Sequence, residues 1–302
     1  MSVQSDDESA VGHTTFQRRF APGVRDTNQT VSKQGFDGVF YQKAHDGKRP
    51  AILAFGGSGG GNSMLVPGKT LAEAGYPTLT IAYFHSRGLP KHLVKIPLEC
   101  FAKALRWLRS QPGIDPHRIY VLGSSRGTKA AQLVAVHYPK LVHGVILAAP
   151  SNVVNEGLTG GLGLKSVRAG ESAWSFRGHP IPFALDFGRP HPRRVPKSVI
   201  PVEKINGPMF LVCGGMDLVW PSCPYSRAIM GRLQSHHDDR YQHVLAAFPE
   251  AGHFVNGLVP YDPDTASETV GRAAGDHRFS NKFAHTRVWP KLIRFLRTTS
   301  GH

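Results

Sequence analysis

The sequence predicts an α/β protein with a mostly parallel central sheet and helices on both faces of that sheet. Along most of its 302 residues, short apolar runs alternate with stretches of helical periodicity, and this alternation is typical of βαβ units. Hydrophobic residues make up 40% of the chain and charged residues 19%, a composition that supplies a large core. A Gly-Ser-Ser-Arg-Gly turn at 123–127 joins a predicted strand directly to a predicted helix. These observations favour a globular protein with one catalytic domain.

The first part of the chain predicts an antiparallel sheet edge followed by a βαβ unit. Residues 14–46 alternate loosely between apolar and polar side chains and are interrupted by turn residues, which predicts short antiparallel strands. The apolar run 50–55 and the strand-like run 78–83 flank a helical stretch near 69–75. From Pro97 onward, apolar residues recur at helical spacing, and proline suits the first turn of a helix. We expect this helix to pack on the sheet.

The alternation of strands and helices continues through the second part of the chain. A buried strand over 119–122 leads through the Gly/Ser turn to a helix that ends near His137. Further runs predict strands near 144–149, 209–212 and 241–246, and a helix near 222–233. Because strands that are joined by helices usually run parallel, these runs extend the parallel sheet.

The alternation breaks between residues 151 and 201, where glycine, proline and arginine are frequent. A long irregular insertion within an α/β domain is usually functional or disordered, and we expect this one to form a cap over the active site. Trp174, Phe176 and Phe183 in this segment are candidates for lining a substrate pocket. The alternative, which the sequence supports equally, is that they form the core of the cap.

The turn at 123–127 has the GxSxG pattern in the setting that gives this pattern a mechanical meaning, directly between a strand and a helix. Its glycines allow a sharp turn that lifts the Ser125 hydroxyl above the sheet. The helix N-terminus directs backbone N–H groups toward a developing oxyanion. Ser125 is therefore the candidate nucleophile. The alternative is a structural tight turn, since the sequence contains 33 glycines.

A serine nucleophile requires a histidine base that is held by a carboxylate. The α/β-hydrolase fold supplies them after the serine, first the acid and then the histidine. Asp217 follows the strand predicted near 209–212, and His253 follows the next predicted strand. Alone, Asp217 is better explained as a turn or cap residue, and one histidine among 16 is more often a surface residue than a base. Order and placement together make these two residues the candidate acid and base.

A glycine-rich run at 56–61 follows an early predicted strand, where the α/β-hydrolase fold supplies the second N–H group of an oxyanion hole. Gly57 and Ser58 are the candidates there, with the backbone N–H of Arg126 as their partner. A flexible loop or a phosphate cradle is the alternative. Gly68-Lys69-Thr70 lacks the glycine that a P-loop requires five positions earlier, and no GxGxxG motif occurs. Nucleotide binding by these motifs is therefore not expected.

The net charge and the N-terminal segment indicate which partners and which cellular location to expect. The net charge of +15 favours anionic partners, but without a zinc-finger, RNP or helix-turn-helix motif no specific nucleic acid is expected. The charge serves either to attract an anionic substrate or only to keep the protein soluble. Residues 1–13 predict a disordered tail, which leaves 14–302 as one domain. With no signal peptide and no membrane-spanning run, we expect a cytoplasmic protein that does not bind membranes.

The cysteine, histidine and aspartate residues do not predict a metal site. Cys100, Cys213 and Cys223 are an odd number and lack CxxC spacing, which argues against a disulfide framework and against a structural zinc site. The polar run His236-His237-Asp238-Asp239 is interpreted as a solvated loop, because adjacent residues seldom converge on one ion. We therefore expect neither a metal nor another cofactor.

Several short segments between about residue 50 and the C-terminus together form a recognisable sequence pattern. The segments are Leu71-Ala72-Glu73-Ala74-Gly75-Tyr76, Ala82-Tyr83-Phe84, Gly88-Leu89-Pro90-Lys91, Ile96-Pro97-Leu98-Glu99, the GxSxG turn, Asp217 with Trp220-Pro221-Ser222, Ala251-Gly252-His253 and, more weakly, Val288-Trp289-Pro290-Lys291 with Phe295-Leu296. With these segments the chain resembles the C-terminal catalytic domain of acyl-CoA thioesterases and bile acid-CoA:amino acid N-acyltransferases, a dienelactone-hydrolase-like branch of the α/β-hydrolases.

The resemblance implies that the nucleophile attacks an acyl thioester, forms an acyl-enzyme and releases the acyl group to water or to an amine. Members that conjugate amino acids commonly have cysteine at the nucleophile, so Ser125 favours hydrolysis. The chain departs from the family at Thr128-Lys129, where a small residue and Glu are usual. The 50 or so residues before the match are also too few for the β-sandwich of full-length members.

The expected substrate is a small acyl compound, either an acyl-CoA, a carrier-bound thioester, an ester or an amide. Two other functions stay open at this point. The first is an acyltransferase that passes the acyl group to an amine or alcohol. The second is a non-catalytic scaffold that binds a ligand through the basic cap residues Arg189, Arg193 and Arg194. The sequence does not indicate an oligomeric state.

Overall fold

The computed structural model describes residues 23–185, 195–259, 273–275 and 280–301. The predicted tail at 1–13 lies outside these residues, and so do Arg189, Arg193 and Arg194 of the predicted cap. Within the described residues the chain is built around one eight-stranded sheet.

The main sheet is assembled largely from parallel strands, as the sequence predicts. The strands are β1 (Val24–Gln29), β2 (Asp37–Lys43), β3 (Arg49–Phe55), β4 (Thr78–Ala82), β5 (Ile96–Pro97), β6 (Ile114–Ser124), β7 (Gly144–Ala148), β8 (Glu156–Thr159), β9 (Val167–Ser172), β10 (Trp174–Phe176), β11 (His179–Pro180), β12 (Met209–Gly214) and β13 (His243–Phe248). The sheet has the order β1-β2-β4-β3-β6-β7-β12-β13. Neighbours from β4 to β13 are parallel, and β2 is antiparallel to both of its neighbours.

Helices cover both faces of this sheet, and each face has its own apolar core. The helices are α1 (Val31–Gln34), α2 (Leu65–Glu73), α3 (Leu98–Arg109), α4 (Gly127–His137), α5 (Ser222–Ser235) and α6 (Ser280–Ser300). On β3, Leu53 belongs to one core and Ile52 to the other, because successive residues of a strand point to opposite sides. Helices α3, α4 and α5 contribute to the first core, and α2 and α6 to the second. The result is a layered α/β/α arrangement.

The parallel strands have their carboxyl ends along one edge of the sheet. The strands β3, β6, β12 and β13 end shortly before the segments that hold the candidate oxyanion loop, nucleophile, acid and base, respectively. Ligands of open α/β sheets bind at this edge. The topology therefore gathers segments that are far apart in the sequence.

The region predicted as a cap has secondary structure of its own. β8 and β9 form an antiparallel hairpin, and β10 pairs with β5 and β11 in a three-stranded sheet. The N–H of Gly163 donates a hydrogen bond to the carbonyl oxygen of Ser58 at 3.0 Å. This bond joins the cap region to the loop that follows β3, at the edge of the sheet where the candidate site lies.

The sequence pattern argued against a disulfide framework, and the structure nevertheless pairs two of the three cysteines. Cys213 near the end of β12 and Cys223 in the first turn of α5 form a disulfide, with Cα atoms 5.0 Å apart. The two residues are separated by 10 positions, a spacing that matches no metal or redox motif. They meet because the loop after β12 turns back to begin α5 beside the strand. Cys100 is the free cysteine.

The longest described helix is α6, with 21 residues. It buries Val288, Leu292 and Phe295 against the sheet and has basic residues along its length, so it is amphipathic rather than uniformly apolar. In the described part of the chain, no helix has both the length and the apolar character that crossing a membrane requires.

Candidate active site

Ser125 lies in a sharp turn between β6 and α4. The strand ends at Ser124 and the helix begins at Gly127, so only Ser125 and Arg126 form the connection. Ser125 has a φ of +53°, a left-handed conformation that is strained for a residue other than glycine. Its N–H donates a hydrogen bond to the carbonyl oxygen of Ala148 at 2.8 Å. This is the geometry of a nucleophile elbow.

Two glycines let the loop after β3 approach this turn closely. A Cβ atom at Gly127 would lie 2.3 Å from the carbonyl oxygen of Gly56. A Cβ atom at Gly57 would lie 2.6 Å from Cβ of Ser125 and 3.0 Å from its Oγ. Side chains at either position would push the loop and the elbow apart. The backbone of Gly57 is therefore held in contact with the side chain of Ser125.

His253 contacts the hydroxyl of Ser125 directly. Its Nε2 lies 2.8 Å from Oγ of Ser125, and its Nδ1 lies 2.8 Å from Oδ2 of Asp217. An ionised carboxylate only accepts hydrogen bonds, so Nδ1 has the proton and donates it to Asp217. Nε2 is then unprotonated and accepts a hydrogen bond from the Ser125 hydroxyl. This is the tautomer that a general base needs.

Asp217 is oriented by the loop in which it lies. Its Oδ1 accepts hydrogen bonds from the N–H groups of Val219 at 3.0 Å and Trp220 at 3.2 Å, which leaves Oδ2 for His253. The side chain of Asp217 is fully buried, and that of His253 is 5% exposed. A buried carboxylate with all of these partners is positioned to stabilise the imidazolium that forms when His253 accepts a proton.

Trp220 and Lys129 form a buried layer beside the acid and the base. The indole of Trp220 meets the ring of His253 edge to face, with centroids 4.8 Å apart. Nζ of Lys129 lies 3.8 Å from the centroid of that indole. Burial lowers the pKa of Lys129 well below its ordinary value, the charge of Arg126 lowers it further, and Asp217 opposes the shift. The layer excludes water from one side of the His253–Asp217 pair.

The loop after β3 has two backbone N–H groups without a partner in the described part of the protein, and its Gly57 lies next to Ser125. Within the described residues, the N–H groups of Gly57 and Ser58 donate no hydrogen bond to the protein, and both residues are partly exposed. The third predicted donor, Arg126, directly precedes the first residue of α4, where N–H groups have no partner within the helix. These positions suit an oxyanion hole, and the role of the three N–H groups stays a prediction.

The side chain of Arg126 links the elbow to the cap. It is fully buried, and its Nη1 donates a hydrogen bond to the carbonyl oxygen of Glu156 in β8. The buried carboxylate of Glu156 lies 3.6 Å from Nε of Arg168 and accepts a hydrogen bond from the N–H of Gly170 at 3.2 Å. Burial lowers the pKa of Arg126 to about 9, so it keeps its charge at neutral pH. The turn at Ser125 and the β8–β9 hairpin are therefore joined by a buried cation.

The three aromatic residues predicted to bind substrate lie in the core beneath the cap. Trp174 is fully buried, and its ring centroid is 5.5 Å from that of Tyr83. Phe176 packs on His137, with centroids 4.1 Å apart, at the opposite end of α4 from Ser125. Phe183 packs against the same core. Their packing fits the alternative in which they form the core of this segment, and a role in substrate binding stays a prediction.

Sequence patterns indicated no role for Tyr83, Trp220 or Lys129, and the structure brings all three to the site. Tyr83 and Trp220 lie in segments that carry the family resemblance, and Lys129 departs from the family pattern, so each residue could be noticed in the sequence. The sequence did not show which side chains these three residues contact. Those contacts depend on how the ends of β4 and β12 and the start of α4 pack together.

The described residues contain no group of three or more His, Cys, Asp or Glu side chains that would hold a metal ion. Asp238, in the run interpreted as a solvated loop, is buried and lies 3.3 Å from Nη2 of Arg240. What the site contains is a hydroxyl, an imidazole and a carboxylate in series. Such a series converts a weak nucleophile into a reactive one by removing its proton.

Comparison with known proteins assigns this arrangement to a family. A family model described as "BAAT / Acyl-CoA thioester hydrolase C terminal" matches residues 96–301, which is more than half of the chain. The chain belongs to the BAAT/acyl-CoA thioester hydrolase C-terminal family. The matched span includes Ser125, Asp217 and His253. The resemblance predicted from the short segments is confirmed.

Curated relatives in this family include a transferase and a thioesterase. The chain is 27% identical to acyl-coenzyme A amino acid N-acyltransferase 2 of Rattus norvegicus, over 91% of the chain and 66% of the relative. It is 27% identical to the peroxisomal succinyl-coenzyme A thioesterase of Mus musculus, over 97% of the chain and 70% of the relative. The chain thus spans about two thirds of the length of the curated relatives that it matches.

Solved structures confirm the α/β-hydrolase fold for this BAAT/acyl-CoA thioester hydrolase family member. An alpha/beta hydrolase from a Medee basin deep-sea metagenome library matches it with a TM-score of 0.59 and 18% identity, over 93% of this chain and 99% of that chain. At this level of identity the similarity establishes the fold alone.

Proposed function

We propose that this chain is a serine hydrolase that cleaves an acyl thioester through an acyl-enzyme on Ser125. The observation that carries the proposal is the continuous hydrogen-bonded series from Ser125 through His253 to Asp217, in which both links are 2.8 Å long. The family relatives, which are acyl-coenzyme A thioesterases and an acyl-coenzyme A amino acid N-acyltransferase, supply the substrate class.

In the first half of the reaction, Nε2 of His253 accepts the proton of the Ser125 hydroxyl as Oγ attacks the carbonyl carbon of the thioester. The electron pair of the C=O bond moves to oxygen, and the resulting oxyanion accepts hydrogen bonds from N–H groups of Gly57, Ser58 and Arg126. When the C=O bond re-forms, the C–S bond breaks. The imidazolium of His253 returns its proton to the thiolate, and the acyl group is left as an ester on Ser125.

In the second half, a water molecule takes the place of the thiol. His253 accepts a proton from the water as its oxygen attacks the acyl carbon, and the oxyanion forms again in the same place. The bond from the acyl carbon to Oγ then breaks, and the proton passes from His253 to Oγ. The products are a carboxylic acid and free Ser125. Asp217 stays ionised throughout and stabilises the imidazolium in both halves.

Transfer to an amine is the second candidate function, because one relative is by name an amino acid N-acyltransferase. The acyl-enzyme is common to both functions, and only the acceptor of its acyl group differs. The presence of serine rather than cysteine at the nucleophile favours water. Product analysis by mass spectrometry, with and without glycine or taurine in the reaction, separates hydrolysis from transfer.

Intact-mass labelling with a fluorophosphonate tests the nucleophile. We expect one adduct on the wild type and none on Ser125→Ala, together with loss of turnover on a panel of acyl-CoA thioesters and p-nitrophenyl esters. Ser124→Ala, which changes the neighbouring serine of the same motif, is the matched control and should keep both the adduct and the turnover. Turnover that persists in Ser125→Ala would refute the proposal. An intact fold without labelling of the wild type would instead favour the non-catalytic scaffold.

A further inference from the structure

Tyr83 lies behind the loop that contains the candidate oxyanion-hole N–H groups. It directly follows β4 and is 3% exposed. Its ring packs among Phe55, Phe101 and Trp174, with centroid distances of 6.1, 5.3 and 5.5 Å, respectively. An apolar surrounding of this kind makes an unpaired hydroxyl unfavourable, so the hydroxyl group of Tyr83 needs a partner.

The partners of this hydroxyl are two successive carbonyl groups of the loop. Its single proton is shared between the carbonyl oxygen of Gly56, 2.9 Å from the hydroxyl oxygen, and that of Gly57, 3.0 Å from it. Burial raises the pKa of Tyr83, which keeps the phenol protonated and able to donate at any pH at which the protein works. One side chain therefore holds the orientation of two adjacent peptide groups.

The geometry of the peptide bond transmits this orientation to the N–H groups. In a planar trans peptide, the C=O of one residue and the N–H of the next point in opposite directions, and the described residues contain no cis peptide bond. Because the carbonyl groups of Gly56 and Gly57 point to Tyr83, the N–H groups of Gly57 and Ser58 point away from it. These N–H groups donate to nothing in the described protein, and the backbone of Gly57 lies so close to Ser125 that an added Cβ would be 3.0 Å from its Oγ.

We infer that Tyr83 is a positioning residue for the oxyanion hole, which holds the peptide groups of Gly56 and Gly57 so that the next two N–H groups are directed to the acyl oxygen above Ser125. The inference rests on the proposed function, because it requires Ser125 to form a tetrahedral oxyanion. The first of these peptide groups lies between two glycines and the second follows Gly57, so both can rotate easily. The Tyr83 hydroxyl thus supplies a rigidity that the loop sequence lacks.

This role makes a specific kinetic prediction for Tyr83→Phe, which removes only the hydroxyl. The charge that the N–H groups stabilise exists in the transition state and not in the bound substrate. We expect kcat to fall by about tenfold to a hundredfold, with KM within about twofold. The affinity for an alkyl boronic acid, which forms a tetrahedral adduct with an active serine, should fall by a similar factor. The pH profile should not move, because Tyr83 does not contact His253 or Asp217.

Tyr120→Phe is the matched control. Tyr120 is also fully buried, and its hydroxyl bonds to Oγ1 of Thr299 at 2.7 Å, in the core on the other face of the sheet. Its substitution reports what loss of a buried phenol hydroxyl does to this fold in general. Enzyme concentrations are normalised to the end point of fluorophosphonate labelling, so that an unfolded fraction of either variant does not enter kcat.

Three outcomes decide the inference. A drop in kcat and in boronic acid affinity for Tyr83→Phe, beyond that of Tyr120→Phe, supports it. Equal kcat and equal boronic acid affinity in the two variants overturn it, and so does a higher KM with unchanged kcat, since Tyr83 would then act on substrate binding. Failure of the proposed function itself is distinguishable, because the wild type would then show no turnover that depends on Ser125.

Discussion

At the scale of single residues, the site requires glycine at position 57, because even the methyl group of alanine would be too close to Ser125. In Gly57→Ala the new Cβ would lie 2.6 Å from Cβ of Ser125 and 3.0 Å from its Oγ, so the loop or the serine must move. We expect kcat/KM to fall by about a hundredfold or more, the effect of losing an oxyanion-hole donor, and the fold to persist. Steady-state kinetics on a thioester measure the effect.

Gly59→Ala is the control for this prediction. It makes the same substitution two residues further along the loop, where an added Cβ meets nothing within 4 Å. We expect it to keep near-wild-type activity. Equal losses in the two variants would show that loop flexibility, and not proximity to Ser125, is what the substitution at Gly57 disturbs.

Lys129 gives a second prediction at this scale, and it concerns stability. Its Nζ is buried and has no hydrogen-bond partner among the described residues, although it lies over the Trp220 indole. A buried ammonium without such a partner is unfavourable. Lys129→Met keeps a side chain of similar length and removes the charge. We expect the variant to be at least as stable as the wild type near neutral pH, measured as the free energy of unfolding in urea.

The pH dependence of that difference follows from the lowered pKa. Because burial lowers the pKa of Lys129 in the folded protein, the unfolded chain binds more protons than the folded one between that pKa and about 10.4. The contribution of Lys129 to stability therefore rises with pH through this window, by up to about 1.4 kcal/mol per pH unit. The advantage of Lys129→Met should shrink as the pH rises. Lys140→Met, at an exposed lysine, is the control, and parallel pH profiles of wild type and Lys129→Met would contradict the prediction.

At the scale of elements, the disulfide between Cys213 and Cys223 joins β12 to α5 and closes the loop that contains Asp217. A cross-link across a loop of this length restricts the unfolded chain and stabilises the fold by about 2–3 kcal/mol. We expect a reductant to lower the Tm of the wild type. A variant with both cysteines changed to serine should have the lower Tm with and without reductant, and Cys100→Ser should behave as the wild type. A wild type that is insensitive to reductant would contradict this.

Two elements show where the sequence pattern was sufficient to predict secondary structure. The buried run predicted at 50–55 is the core of β3 (Arg49–Phe55), and the helix predicted near 222–233 is α5 (Ser222–Ser235). Both have apolar residues in a clear local period and defined ends. The helix predicted near 69–75 instead spans Leu65–Glu73. Its start was not evident because the residue before it, Met64, makes no side-chain capping hydrogen bond, so no capping signal marks the boundary.

Helix α6 is one of the elements that the sequence pattern did not predict. It contains Pro290 in its interior, and proline removes a backbone hydrogen bond and disfavours a helix. In the structure Val288, Leu292 and Phe295 are buried on one face of α6 against the sheet. The stabilisation from burying these side chains outweighs the loss of helix stability that proline causes. Helix propensity alone does not show which side chains will be buried.

At the scale of the whole molecule, the net charge of +15 leads to a prediction about the substrate. A strongly basic protein attracts an anionic thioester over distances that salt shortens. We expect kcat/KM for an acyl-CoA to fall when the salt concentration is raised from about 0.01 M to about 0.5 M. The same acyl group on uncharged N-acetylcysteamine is the control and should show little dependence. Equal salt dependence of the two substrates would leave the charge with a role in solubility only.

From the order of its residues alone we could predict the βα order, the parallel sheet, the family and the candidate triad, because each depends on a local period or on a motif between adjacent elements. Only the tertiary structure brought Ser125 and His253 together across 128 positions. It also paired Cys213 with Cys223, buried Trp174 in the core and set Tyr83 against the oxyanion loop. These contacts form where strand ends and the cap pack against one another, and a linear pattern does not encode which side chains then become neighbours.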